Sequence, residues 1–155
     1  MSNHIDVMME DIIPLINDCL SAGGTFTFFP KGKSMLPFIR EGIDSVTLAP
    51  VKAPLRKYDI ALYRRDNGKY VLHRVVFVGE TYTFLGDNCL YLEPNVRHDS
   101  LVAVVTSVNR NGREVRVTSF WFRLFGILWY RTRFFRRVYR GVKRRLSRLF
   151  NLSGE

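Results

Sequence analysis

Three short segments carry residue types suited to acyl transfer: Gly32-Lys33-Ser34-Met35-Leu36-Pro37, Leu72-His73-Arg74-Val75-Val76 and Gly86-Asp87-Asn88. The first puts a hydroxyl on a tight, glycine-containing turn. There the Ser34 side chain can stand free, and backbone N–H groups can face a developing oxyanion. A serine hydroxyl is a weak nucleophile and needs a base close by in the fold. His73, set among apolar strand residues, can take its proton. Asp87 sits on the turn after the next strand, within reach of the imidazole, where a carboxylate would fix the tautomer and stabilise the charged ring. Each segment also has a plain structural use. A Gly-X-Ser turn is usually only a turn, a strand histidine usually packs, and a Gly-Asp-Asn turn commonly makes local hydrogen bonds.

In their order along the chain, Gly32-x-Ser34-Met35-x-Pro37, His73-Arg74-Val75-Val76 and Gly86-Asp87-Asn88 resemble the boxes of the type I signal peptidase and LexA-like serine-peptidase superfamily. His73 stands before Arg74 where the bacterial form has Lys-Arg, so the resemblance is to the histidine-base version of the endoplasmic reticulum and archaea. It implies that Ser34 is the nucleophile, His73 the general base and Asp87 its assistant. It covers roughly Phe26 to Val108 and implies a coiled, antiparallel β fold. It also implies an extended precursor or leader peptide as substrate, bound beside a strand, with small residues near the cut. Met35, Phe29 and Leu36, with Phe28, are candidates to line a shallow groove; the same side chains suit core packing. Lys57-Tyr58-Asp59 departs from the superfamily's usual Gly-Asp pair, and a different turn is expected there. There is no room for the extra β region of the bacterial enzymes, and neither end offers the usual membrane anchor.

Lys33 and Lys69 are the alternative bases. The first adjoins the nucleophile and the second is displaced from the histidine box, so both rank below His73. His4 and His98 have no such context and are expected at the surface. Cys19 and Cys89 could pair, but two cysteines make no disulfide framework; Cys89 is expected to be structural. No metal or cofactor is called for.

These residues need a β scaffold. The pattern predicts a helix over Ile5–Leu20, interrupted or begun near Pro14 and stopped at Gly23-Gly24. Strands are predicted over Thr25–Phe29, Ser45–Leu48, Asp59–Tyr63, Lys69–Val78, Thr81–Leu85, Leu101–Val108 and Glu114–Thr118, with a hairpin turn at Asp66-Asn67-Gly68. The fold class is therefore mainly β and antiparallel, with an N-terminal helix (1–24), a β domain (25–118) and a helical tail (119–155).

Charge separates body from tail. Residues 1–114 hold 13 Lys/Arg and 13 Asp/Glu, whereas residues 115–155 hold 11 Lys/Arg and Glu155 alone as an acid, so the net charge of +10 lies in the tail. Leu128, Phe135, Val138, Tyr139, Val142, Leu146 and Leu149 recur there at helical spacing among arginines, with breaks expected near Gly126 or Gly141. Trp121, Phe122, Phe125, Ile127, Leu128 and Trp129 suit a membrane interface, with the arginines facing anionic headgroups. Two other uses stay open: a charged face packing its aromatic side on the domain, and binding of nucleic-acid phosphates, the weaker fit for so aromatic a helix. The first residues lack the basic n-region of a secretory signal, and the longest apolar stretch falls short of the roughly 20 residues a span requires. The expected place is therefore the cytoplasm, peripherally on a membrane. A non-catalytic module of the same fold, recruited by its basic tail, is the alternative to a membrane-associated endopeptidase.

Overall fold

The alternation and β-branching of the middle of the chain yield eight strands, and a computed structural model describes residues 9–52, 54–135 and 138. In chain order they are β1 (Phe26–Phe28), β2 (Ser45–Ala49), β3 (Ile60–Arg64), β4 (Tyr70–Val78), β5 (Tyr82–Leu85), β6 (Glu93–Val96), β7 (Leu101–Arg110) and β8 (Arg113–Arg116). They form one antiparallel sheet in the order β1-β2-β7-β3-β4-β5-β6, with β8 paired to β7. Register shifts interrupt the ladders at Thr47/Leu48, Leu62/Tyr63, Val75/Phe77 and Tyr82/Phe84. Such irregularities bend and twist a sheet locally.

Both faces of the central strands are covered, so β3 and β4 are almost continuously buried. Successive side chains still alternate. Ile60, Leu62 and Leu72 join one core with Val46, Leu48 and Val105; Ala61, Tyr63 and Val75 join a second with Tyr82 and Phe84. One step along β4 therefore changes face. His73 lies opposite Ala61, on the Tyr63 side, and Arg74 lies opposite Ile60, on the other.

Two helices serve the first core. Helix α1 (Met9–Ser21) buries Ile13, Ile16 and Leu20, one stripe at helical spacing, while Pro14 stays inside the helix on its exposed side. Helix α2 (Phe120–Arg131) begins after Ser119 and runs unbroken through Gly126. Its inner stripe is Phe122, Gly126 and Trp129. Phe122 and Trp129 set their rings edge-on to Phe38, at centroid distances of 5.4 and 6.3 Å. The adjacent side is turned out at Trp121, 76% exposed, and Leu128, 52%, while Phe125 between them is half exposed and still sets its ring edge-on to Phe38 at 4.8 Å. The aromatic side of the tail thus does two things, half of it closing the core and half facing solvent. Of the expected basic helix, residues 136, 137 and 139–155, like His4, lie outside the described residues. No helix among the described residues is long and apolar enough to cross a membrane.

β6 has no counterpart among the strands expected from the sequence. Its Glu-Pro-Asn-Val run lacks alternation, Pro94 cannot donate to a ladder, and Asn95 takes φ 61°. It forms as an edge strand on β5 through two register pairs, Tyr82 with Val96 and Phe84 with Glu93.

Candidate active site

Ser34 lies on the turn that follows β1. Gly32 opens the turn at φ 94°, in the left-handed region that glycine enters without steric cost, and its N–H donates to Glu41 Oε1 at 2.7 Å. Phe38 and Ile39 N–H close back on the Met35 carbonyl, each at 3.0 Å. The turn is strapped to the Gly86–Cys89 turn by Asn88. The Asn88 backbone N–H donates to the Ser34 carbonyl at 2.7 Å, and its side-chain amide donates to the Lys33 carbonyl at 3.0 Å. Two loops distant in sequence are thereby held as one unit.

Gly86 is where the site converges. A Cβ at this residue would lie 2.7 Å from Cys89 Sγ and 2.9 Å from both His73 Nε2 and the Ser34 carbonyl oxygen. No side chain fits in that space, so glycine is required by close approach here. The serine turn, the imidazole and the Cys89 thiol meet around it.

The imidazole itself is 2% exposed. Its Nδ1 is 3.1 Å from Glu93 Oε1, on β6, and 3.4 Å from the Tyr63 hydroxyl. Glu93 is in turn gripped. Tyr63 donates to Oε2 at 2.7 Å, Arg65 Nε donates to the same oxygen at 2.7 Å, and Arg65 Nη2 donates to Oε1. With a carboxylate at Nδ1, the neutral ring carries its proton there and leaves the Nε2 lone pair facing Gly86, Cys89 and the serine turn.

The charges follow from these contacts. Burial disfavours protonated His73, but the Cys89 thiol and the Glu93 carboxylate outweigh it and hold the imidazole above its ordinary value of 6.5. Burial pushes Glu93 upward, yet His73, Arg65 and Tyr63 together hold it well below the usual carboxylate range. Burial and the neighbouring Glu93 charge drive the Tyr63 phenol far up, so it stays a donor.

The Asp87 assignment takes a different form. Both of its carboxylate oxygens are bound by Arg74, from Nε at 2.8 Å and Nη2 at 2.7 Å, on the opposite face of β4 from His73. The pair is buried, with Arg74 1% and Asp87 6% exposed. The Arg74 guanidinium also stacks over Phe38, donates to the Tyr58 carbonyl, and lies against Gly126 of α2. Trp129 Nε1 of the same helix donates to the Asp87 carbonyl at 2.7 Å. Asp87 thus pins the turn and α2 together, and Glu93 is the carboxylate at the imidazole. Glu93 escaped the sequence reading because its strand did; a lone acid between Leu92 and Pro94 carries no motif.

Of the expected groove residues, Met35 is buried in the first core and also walls a cleft beside Ser34. That cleft has a volume of ≈ 90 Å³, and its other walls include Met9, Pro30, Lys31, Ile39, Tyr70 and Leu72. Phe29 stands out to solvent at 59% exposed, and Leu36 is half-buried. Lys33 and Lys69 are exposed. Both cysteines are free thiols. His98 is exposed and packs its ring on Tyr82, with centroids 4.5 Å apart. Tyr58 takes φ 76°, the left-handed conformation in which glycine is usual, at the place where the superfamily resemblance expects a Gly-Asp pair. Among the described residues no group of three His, Cys, Asp or Glu side chains could hold a metal ion.

No protein-family model matches this chain, and no curated protein matches its sequence. The functional reading therefore rests on the geometry around Gly86.

Proposed function

We propose that this chain is a serine endopeptidase similar to signal peptidase, cleaving a precursor or leader peptide with Ser34 as nucleophile, His73 as general base and Glu93 as the group that orients the base. One observation carries this reading. A buried imidazole has a clamped carboxylate at Nδ1 and turns Nε2 toward the turn that bears Ser34. A base oriented in this way suits a serine nucleophile, and the Ser34 carbonyl is the atom of that residue at the convergence point. In the reaction, Nε2 takes the Ser34 hydroxyl proton as Oγ attacks the scissile carbonyl. The Ser34 backbone N–H holds the oxyanion, and the imidazolium then protonates the leaving amine. Water, deprotonated by the same nitrogen, releases the acyl-enzyme. The small cleft beside Ser34 favours a substrate with a small side chain near the cut.

A membrane surface is the proposed place of action. The outward side of α2 (Trp121 and Leu128) supports this, with Phe120, Phe134 and Phe135 also exposed close by. Aromatic and aliphatic side chains beside a run of arginines fit an anionic interface, at about 1 kcal/mol per cation near the surface.

The test is processing of a candidate precursor by the parent protein and by Ser34→Ala and His73→Ala. Each substitution is expected to lower the rate at least about 10³-fold. Undiminished processing by both variants would overturn the assignment and leave a non-catalytic peptide-binding module of the same fold.

A further inference from the structure

Cys89 is not a reactant in the chemistry above, yet its sulfur lies beside the same convergence point as His73 Nε2. We propose that Cys89 is a second nucleophile at this imidazole, a thiol that His73 activates for reaction with hydroperoxides.

Three observations carry the inference. Cys89 Sγ and His73 Nε2 lie 2.7 and 2.9 Å from one point, the missing Cβ of Gly86, and the thiol is among the groups that hold the imidazole's pKa up. The ring is oriented for this by Glu93 at Nδ1, so nucleophile, base and orienting carboxylate are all present. Cys89 is also held in place and not fully buried. The Cys89 N–H donates to the Gly86 carbonyl at 2.8 Å, fixing the turn, and the residue is half-buried where His73 is only 2% exposed. Cys19 supplies the contrast within the same chain. It is equally half-buried and free, but its thiol donates to the Thr25 carbonyl at 3.3 Å, an acceptor that cannot take a proton.

The step balances with hydrogen peroxide as oxidant. The Cys89 S–H proton passes to Nε2, and a sulfur lone pair attacks one peroxide oxygen. The O–O bond breaks, and the departing hydroxide takes the proton from Nε2 and leaves as water. Sulfur is oxidised by two electrons to a sulfenic acid and the peroxide is reduced; an external thiol reverses the change by way of a mixed disulfide. An oxygen added to Cys89 Sγ crowds the surroundings of Nε2, where a methyl group on Gly86 would already be too close to both atoms. An oxidised Cys89 therefore competes with Ser34 for the base. The reactivity of the thiol does not depend on whether Ser34 cleaves a peptide.

The experiment treats the reduced full-length protein with limiting hydrogen peroxide in the presence of dimedone and follows labelling of Cys89 and Cys19 by peptide mass spectrometry. Cys89 is expected to be trapped at least about tenfold faster than Cys19. His73→Gln should bring the two rates together. Glu93→Gln, folded by circular dichroism, is the second variant if His73→Gln does not fold, and should slow Cys89 while leaving Cys19 unchanged. Equal rates at the two cysteines in the folded parent would overturn the proposal, as would a Cys89 rate that neither substitution lowers. Ser34→Ala, labelled in the same way, keeps this outcome distinct from failure of the peptidase reading: Cys89 should be trapped at the parent's rate whether or not Ser34 cleaves a peptide.

Discussion

His73 is asked for opposite things by stability and by catalysis. Its native pKa lies above 6.5, so the folded state favours the protonated ring. The stabilisation from that charge is complete below 6.5 and is lost as pH rises through the native value. A general base must be neutral, so kcat/KM should rise through that same native value, and activity should grow as this part of the stability disappears. Glu93→Gln removes a charge that holds the pKa up and leaves burial, which lowers it. The acidic limb of the kcat/KM profile should move to lower pH and kcat should fall by about 10²- to 10⁴-fold. An unmoved limb would show that Glu93 does not face the base in the working enzyme. Asp87→Asn should behave differently. It strands the buried Arg74 guanidinium, so urea unfolding should show a loss of about 3–5 kcal/mol, with the acidic limb staying where it is. Ser34, His73 and Asp87 were all legible as residues in motifs. Asp87 was legible as important and not as to its partner, because which face of β4 a turn serves is decided by strand parity and helix docking. Glu93 was not legible at all.

Strands β3, β4, β5 and β7 and the hairpin between β3 and β4 could be read from β-branched runs and an Asp-Asn-Gly turn. β6 could not, because what forms it is the pairing offered by β5 and the ionic grip on Glu93, both of them long-range. Gly126 marks the same limit in the other direction. A glycine in a helical pattern reads as a break, since it costs about 1 kcal/mol against alanine. In α2 it makes room for a guanidinium: a Cβ there would lie 3.0 Å from Arg74 Nη1 and 3.3 Å from Cζ. Arg74 cannot retreat, being fixed by two bonds to Asp87 and one to Tyr58. Gly126→Ala should therefore destabilise the protein, by about 1–3 kcal/mol in chemical denaturation, despite its better helix propensity. A stabilised variant would mean that α2 does not seat on Arg74.

At the level of the molecule, a charge-balanced body carries its cationic excess at one end, and α2 joins the two. Binding to vesicles is expected to be stronger for anionic than for neutral lipid and to weaken with salt. Replacing Trp121 and Leu128 together by serine should reduce co-sedimentation with anionic vesicles by at least about tenfold, with thermal stability little changed. Unchanged sedimentation, or binding of duplex DNA with a steep salt dependence and none of lipid, would point the arginines at phosphate backbones instead. The charge asymmetry was plain in the sequence; the division of one helix into an inner and an outer stripe was not, because both stripes are aromatic. That division bears on how the chain can be taken apart. A tail that only addressed the protein to a surface could be cut away at residue 118 and the remainder would work. Here the cut would strip the cover from Phe38 and Arg74 and remove the indole that holds the Asp87 carbonyl, on the turn where serine, imidazole and thiol meet. Body and tail are separable in composition and inseparable in construction, and only substitutions on the outer stripe can test one without dismantling the other.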